Sequence, residues 1–523
     1  LVEILAQKIR KQVHIRIIGD YDVDGVTSSH LFLTALRRVG AKVDVVIPHR
    51  IQDGYGLSLH LLQQAKEDGV DTILTCDNGI AAIDEIAWAK AQKMTVLVTD
   101  HHAVPFEEHE GRRTEKKSLA DAVVNPHQQD CGYPYKELCG AGVAWNVIRV
   151  LYENYDMDKR EAEDLLDFVA MATVCDVMSL TGENRILVKE GLKRIRHTKN
   201  IGLQALMQAC NVQPENISAY HFGYVLGPCV NATGRLDTAR HALRLFETGQ
   251  ETEAEEIARD LVDLNQERKE LTLQGVEMAK KLCEEGGYEN DPVLVLFLPD
   301  VHESIAGLIA GRIREMYNRP VFVLTRGEEG VKGSGRSTEN YSMYENMCGC
   351  AELFTKFGGH PMAAGLSLPE ENVEKFRRKI NENCPLTVEE VCPDIHIDMA
   401  MPVGYASTEL VHQFALLEPF GKDNPSPLFA DRNLSISRMW VIGKNRNVLR
   451  MSVLSEYGQP VPVIFFGDVE TLFAYFTEKF GQEEVENALH GRKNRILFSM
   501  VYTAKIDFYQ GNENLQLEMK YYR

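Results

Sequence analysis

The stretch Val13-His14-Ile15-Arg16-Ile17-Ile18-Gly19-Asp20-Tyr21-Asp22-Val23-Asp24-Gly25 decides how the rest of the chain is read. Its first half is a short apolar run of β-branched character stopped by Gly, which reads as a buried strand. Carboxylates then follow at alternate positions, Asp20, Asp22 and Asp24. They repel one another unless positive charge sits among them, and a divalent cation supplies it most simply. Polar residues lead on into Ser29–Leu36, where a helix is predicted. D-x-D-x-D-G also opens an EF-hand loop, but that loop needs a Glu at its twelfth position and a helix in front. Here the twelfth residue is Leu31 and the preceding segment is strand-like. A merely solvated acidic turn is the competing reading until partners are found elsewhere.

Working outward, Ala41–Pro48, Thr72–Thr75, Thr95–Thr99 and Ala122–Val124 read as further strands, with helices near Leu57–Lys66 and Ala81–Gln92. This alternation predicts an α/β fold with a doubly wound, mostly parallel sheet. Asp77-Asn78-Gly79 and Asp100-His101-His102 follow two of these strands directly, as the acidic loop follows the first. Ligands bind at that edge of such sheets, so Asp22, Asp24, Asp77, His101 and His102 are expected to be neighbours in space. An apolar helix over Asp167–Val174 delivers Asp176, which either caps that helix or completes a metal set.

At 523 residues the chain accommodates three or four domains with real cores. No apolar run approaches the length of a membrane span, and no signal-peptide pattern is seen, so no membrane association is expected. A first residue of Leu suggests a start inside a longer chain. The 11 Cys stand singly, without C-x-x-C, which points to reduced thiols in a cytoplasm. A net charge of -19 argues against loose, whole-surface binding of nucleic acid, though not against a local site with cations and Arg.

In the middle, Lys193, Arg194, Arg196 and Lys199 form a basic cluster whose default reading is surface solvation. Arg235, in the turn-rich stretch Asn231–Asp237, suits a fixed anion contact. Residues 251–283 read as a long connecting helix, with Ile257, Leu261, Leu264, Leu271 and Met278 near a seven-residue rhythm that Arg268 and Gly275 interrupt. A second, smaller α/β unit starts at Pro292–Phe297, with a helix bearing His302, Glu303, Gly307 and Arg312 and a strand at Val321–Leu324. Lys332–Ser337 and Phe357–Gly365 read as small-residue turns, the first able to offer Arg336 and backbone N–H groups to phosphate. The tail changes character near Pro393 and carries strands over 433–442, 448–455, 461–466, 495–508 and 514–522, with a helix near 469–489. That order predicts an OB-like β-barrel. Domains are therefore expected at 1–250, 251–285 (the connecting helix), 286–390 and 391–523.

Asp20–Gly25, Asp77–Gly79, Asp100–His102 and Asp176 resemble the four motifs of the DHH phosphoesterase superfamily. Gly333–Ser337 and Gly358–Gly365 resemble the substrate-binding motifs of its associated C-terminal domain. The Asn231–Leu236 stretch, Leu417–Gly421 with Asn424-Pro425, and the OB-like tail narrow the resemblance to the RecJ family of bacterial single-strand-specific exonucleases, over nearly the whole chain. One departure is Ile18, where many DHH enzymes carry His, which leaves one metal site weaker or completed by water.

The resemblance implies hydrolysis of single-stranded DNA from its 5′ end, with two Mn2+ or Mg2+ ions, in repair and recombination. It implies a monomeric bacterial protein of the cytoplasm and nucleoid, with a helicase and a single-strand-binding protein as candidate partners. By the same token Asp22 and Asp24 serve different ions, Asp77 bridges them, and His101 and Asp176 complete one site. Asp20 is a weak ligand or, like Asp100, an orienting residue, and His102 contacts the scissile phosphate. Arg50, Arg235, Ser334 and Arg336 grip a terminal phosphate, with His360 beside the substrate. Two rivals stand: a DHH phosphodiesterase of short oligonucleotides or cyclic dinucleotides, and a non-catalytic strand-binding module.

Overall fold

The computed structural model describes the chain outside residues 51, 52, 55, 110, 111, 289, 328, 329, 388–394, 444–446, 510 and 511. It forms two compact units, Leu1–Asp394 and Ile395–Arg523. The expected change of domain near Pro393 thus lies outside the described residues.

In the first unit, β1 (Ile15–Ile18), β2 (Val43–Val46), β3 (Thr72–Cys76), β4 (Thr95–Thr99) and β5 (Ala122–Val124) form a parallel sheet in the order β2-β1-β3-β4-β5. Strand order reverses between β1 and β3, so the crevice expected of a doubly wound sheet opens beyond their carboxyl ends. α1 (Val23–Arg38) begins inside the acidic loop, well before the predicted Ser29, with Asp22 as its N-cap accepting from the Gly25 N–H. Gly25 is a poor helix former, which hid this start, but a Cβ there would come within 2.5 Å of the Asp20 backbone. A short hairpin, Phe106–His109 with Arg112–Glu115, lies between β4 and β5 and went unpredicted.

α2 (Gly140–Asn154) and α3 (Leu166–Cys175) bury Ala144, Ile148, Phe168 and Val169 in one core with Phe32 and Leu36 of α1. The Asn231–Leu236 stretch is not a turn but the last part of a helix, α4 (Gly227–Leu236). The long helix α5 (Glu251–Glu285, 35 residues) serves two cores. Its first half buries Ala254, Ile257, Ala258 and Leu261 in the core of α1–α3, and its second half buries Val276, Ala279 and Cys283 in that of the second lobe. The expected seam does not persist, because Met278 is 43% exposed. Gly275 is not an interruption: a Cβ there would sit 2.3 Å from Ile309 Cδ1, so it permits close packing against α6 (Ala306–Tyr317).

The second lobe pairs β6 (Leu294–Phe297), β7 (Val321–Gly327), β8 (Gly330–Arg336), β9 (Lys356–His360) and β10 (Ala363–Leu368) in the order β9-β10-β8-β7-β6. Both stretches read as turns are therefore strands. Gly333 and Gly335 are small because Leu324 and Met343 press on them; a Cβ would meet these at 2.3 and 2.4 Å.

The second unit carries β11 (Met399–Ala400), β12 (Phe429–Ile442), β13 (Val448–Leu454), β14 (Pro460–Phe465), the helices α7 (Val469–Phe480) and α8 (Gln482–Leu489), β15 (Leu497–Tyr509) and β16 (Asn512–Tyr522). β14 and β16 are parallel neighbours, and pairing of β12 with β15 closes the barrel. The alternation of Leu515, Leu517 and Met519 breaks before Tyr521, which is exposed, because the β15–β16 register shifts between Val501 and Tyr502. Among the described residues no helix is long and apolar enough to cross a membrane, and the described cysteines are free thiols.

One charged cluster ties the sheet together. Arg16 in β1 is buried and donates to both Asp44 oxygens, at 2.9 and 2.6 Å, and to Asp68 at 2.8 Å. Burial works to raise the Asp44 carboxyl, but the Arg16 hydrogen bonds and charge outweigh it and hold its pKa below the usual value. A lowered folded pKa contributes stability above the unfolded value, near pH ~4, that is lost as pH falls through the folded one. Asp44→Asn is therefore expected to lower stability at neutral pH and to flatten its decline in acid, as read by urea unfolding at a series of pH values.

Candidate metal centre

The carboxyl ends of β1, β3 and β4 and the end of α3 bring the charged residues together. Asp20 follows β1, Asp22 caps α1, Asp24 lies in its first turn, Asp77 follows β3, His101 and His102 follow β4, and Asp176 caps the C-terminus of α3. His101 Nε2 stands 3.0 Å from Asp77 Oδ1 and 3.6 Å from both Asp24 Oδ2 and Asp176 Oδ2. Three sets place their donor atoms within 4.8 Å of one another: Asp20, Asp22 and Asp77; Asp24, His101 and Asp176; Asp77, His101 and His102. Asp22 and Asp24 fall in different sets, and Asp77 belongs to two.

The electrostatics of this cluster favour a cation. Asp20 and Asp77 are pushed well above the usual carboxylate range, first by burial and then by neighbouring carboxylates, and Asp22 is raised for the same reasons. One Asp20 oxygen is buried with no hydrogen-bond partner among the described residues. Burial also lowers the His101 pKa, which favours the neutral imidazole that metals bind. Oxygen donors with one or two imidazoles suit Mn2+ or Mg2+, so the residues fit the ions that the resemblance implies.

Backbone strain fixes the nest. Asp77 has φ 61° and Val177, next to Asp176, φ 54°; a β-branched residue in that region is a true outlier. Asp100 organises the β4 end: it accepts from the N–H groups of Ile80, His101 and His102 and from His102 Nδ1 at 2.7 Å. Burial works to lower the His102 pKa, but the Asp100 bond and charge prevail and raise it to about 9.

Sequence reasoning missed three supports. The Gly140 and Ala141 N–H groups at the N-terminus of α2 donate to Asp24 at 2.5 and 2.7 Å. Asn231 of α4 accepts from the Val23 N–H at 3.1 Å, and Asn78 donates to the Ile18 and Cys76 carbonyls. The small run Gly140-Ala141-Gly142 before an apolar helix was the available signal for the first. Ile18 itself is fully buried among Leu57, Leu61 and Val98.

Arg50, Arg235 and Arg336 form a second group. Arg235 donates to the Ser304 carbonyl and Arg336 to the Gly335 carbonyl, and neither they nor Arg50 makes an ion pair among the described residues. Burial, then Arg50, Arg268 and Arg336, push the Arg235 pKa down to about 10. Uncompensated guanidinium groups in one place await an anion. Tyr21 lies near members of both groups, with the Arg50 Cζ 5.0 Å from its ring centre. Arg50, Tyr21 and Ser334 line a cleft of about 520 Å³ between the lobes. His360 lies in another recess, of about 430 Å³, with Asp100 and His102.

Comparison with known proteins follows the same lines. Family models match as the DHH family N-terminal domain over residues 14–173, the DHHA1 domain over 290–384 and the RecJ OB domain over 397–521. The single-stranded-DNA-specific exonuclease RecJ of Haemophilus influenzae is 33% identical across 99% of this chain and 89% of that protein. The chain belongs to the RecJ family. RecJ of Escherichia coli is 32% identical, with 88% of its length covered, whereas the chain spans 56% of the Bacillus subtilis RecJ that it matches at 33% identity. A crystal structure of Thermus thermophilus RecJ in complex with Mn2+ superposes with a TM-score of 0.81 at 26% identity, covering 100% of this chain and 70% of that one.

Because a Cβ at Gly140 would meet Asp77 Cβ at 2.6 Å and its Oδ1 at 2.9 Å, Gly140→Ala must displace Asp77. Mn2+ affinity measured by calorimetry is expected to fall about 10- to 100-fold, the range for lost ligand support, with the circular dichroism spectrum retained.

Proposed function

We propose that this chain hydrolyses single-stranded DNA from the 5′ end and releases mononucleotides, as a Mn2+- or Mg2+-dependent exonuclease. The observation that carries this reading is the convergence of Asp20, Asp22, Asp24, Asp77, His101, His102 and Asp176 beside a set of guanidinium groups that make no ion pair among the described residues. Asp22 and Asp24 would hold different ions, Asp77 would bridge them, and His101 and Asp176 would complete one site. When bound, two such ions neutralise the phosphodiester and make water a stronger nucleophile at neutral pH. Asp100 fixes the orientation of the His102 ring through Nδ1, and His102 would contact the scissile phosphate. Arg50, Arg235, Ser334 and Arg336 would grip the terminal phosphate and set the register of cleavage, with His360 flanking the bound strand.

The domain division that suits this reading is a catalytic lobe at 1–250, a connecting helix at 251–285, a substrate-binding lobe at 286–390 and an OB unit at 391–523. In the OB unit Trp440 is paired in register with Arg450 and lies within 6 Å of two guanidinium groups, those of Arg438 at 5.7 Å and Arg450 at 5.9 Å. That arrangement suits base stacking with phosphate contact. A helicase that frees strands and a protein that coats them are the partner classes such an enzyme needs.

The test is digestion of 5′- and 3′-labelled single strands and of duplex, with Mn2+ and then with chelator. Mononucleotides are expected from the 5′ end of single strands only, with no product under chelation. Asp77→Ala is expected to lose at least ~10³-fold in kcat, since electrostatic stabilisation of the reacting phosphate is the largest catalytic factor. Intact activity in that variant would overturn the assignment. Arg336→Ala is expected to lose about 10- to 100-fold in preference for 5′-phosphorylated over 5′-hydroxyl ends, the worth of a charged hydrogen bond.

A further inference from the structure

The helix that supplies Arg235 does not end at the metal centre. Residues 219–236 form one helical run whose middle turn, Phe222–Leu226, is a π-helix, a feature that recurs at functional sites. Near its start the Phe222 carbonyl accepts from the thiol of Cys175, one residue before Asp176, at 3.3 Å. Further on, Asn231 holds the Val23 N–H of the acidic loop, and Arg235 joins the guanidinium group. Phe222, Leu226, Cys229, Val230 and Thr233 are buried, whereas Tyr220, Tyr224, Pro228, Asn231 and Arg235 keep accessible surface at helical spacing. One accessible stripe therefore leads from the anion grip, past the metal centre, to a pair of tyrosines.

Those tyrosines are unusual for a helix surface. Tyr220 is 62% and Tyr224 71% exposed, and their rings stack with centroids 5.1 Å apart and planes 25° from parallel. The His221 ring meets Tyr220 edge-on at 5.7 Å. Large aromatic faces left in water contribute nothing to the core; a stacked pair offers a flat π surface. On a chain of net charge -19, stacking is also the strand-holding device that needs no basic groove.

We propose that Tyr220 and Tyr224 are positioning residues, a base-stacking platform for the single strand that leads away from the metal centre. This rests on the hydrolytic reading above and adds to it which residues hold the uncut strand. With the terminal phosphate at Arg235 and the scissile bond at the carboxylates, bases downstream lie over the tyrosine faces. Each round of cleavage then leaves the remaining strand attached at a point other than the site of chemistry.

The test compares Tyr220→Ala/Tyr224→Ala with Tyr220→Phe/Tyr224→Phe. Both positions are exposed, so circular dichroism is expected to be unchanged in either. For the alanine pair, KM on a long single strand is expected to rise about tenfold or more, the worth of one or two stacked bases, with kcat little changed. Kinetics on a dinucleotide, too short to reach the platform, are expected to stay at the wild-type level, and the phenylalanine pair to behave as wild type. A strand carrying 2-aminopurine, bound in chelator so that it is not cut, is expected to be quenched by wild type and by the phenylalanine pair but not by the alanine pair. An unchanged long-strand KM, equal losses on the dinucleotide, or equal quenching by the alanine pair would each overturn the proposal. Quenching by a wild-type chain that cuts no substrate would sink the hydrolytic reading and leave the platform standing.

Discussion

Mutual repulsion among buried carboxylates is the constraint on which the first unit is built. Asp20, Asp24 and Asp77 are almost fully withdrawn from water, and burial and their neighbours raise Asp20 and Asp77 far above ordinary carboxyl groups. Nothing in a hydrophobic core would gather such groups, and a cation sharing the space relieves their repulsion. The surrounding backbone enforces the gathering. Asp77 is held in a left-handed conformation, Gly25 and Gly140 have no room for a side chain, and the first turn of α2 donates to Asp24. Stability has been traded for a preformed site.

The placement of that site follows from topology. Each contributing loop leaves the same edge of a parallel sheet, and the reversal of strand order between β1 and β3 separates the helices above them. The second lobe then adds to the positive groups of the first: Ser334 on β8 lines the cleft with Tyr21 and Arg50, and Arg336 stands on the same strand. Guanidinium groups from both lobes beside a carboxylate cluster suited to cations make this cleft a place for an anion.

Much of this was legible in the sequence where one physical signal dominates. Thr95–Thr99 and Ala122–Val124 coincide with β4 and β5, and Asp77 and Asp100–His102 stand directly after strands as read, because buried parallel strands are short apolar runs with sharp ends. Small residues were the blind spot. Gly333, Gly335 and Gly275 were taken as breaks in structure, yet each marks a place where a neighbouring side chain presses on the backbone. Close approach and chain reversal call for the same residue, and only the partner, distant in sequence, tells them apart. The supports from Asn231 and from the α2 N-terminus were hidden for the same reason, since they act across more than a hundred residues.

The long helix α5 has its two ends embedded in different cores, Ala254, Ile257 and Leu261 in one and Val276, Ala279 and Cys283 in the other. It therefore acts as a strut that gauges the gap between the lobes. A helix advances ~1.5 Å and turns ~100° per residue, so one inserted residue would both widen the gap and swing the far lobe out of alignment. Point substitutions can retune the walls of the slot, but its calibre is a property of helix length, and whole turns are the smallest increments by which descent could alter it.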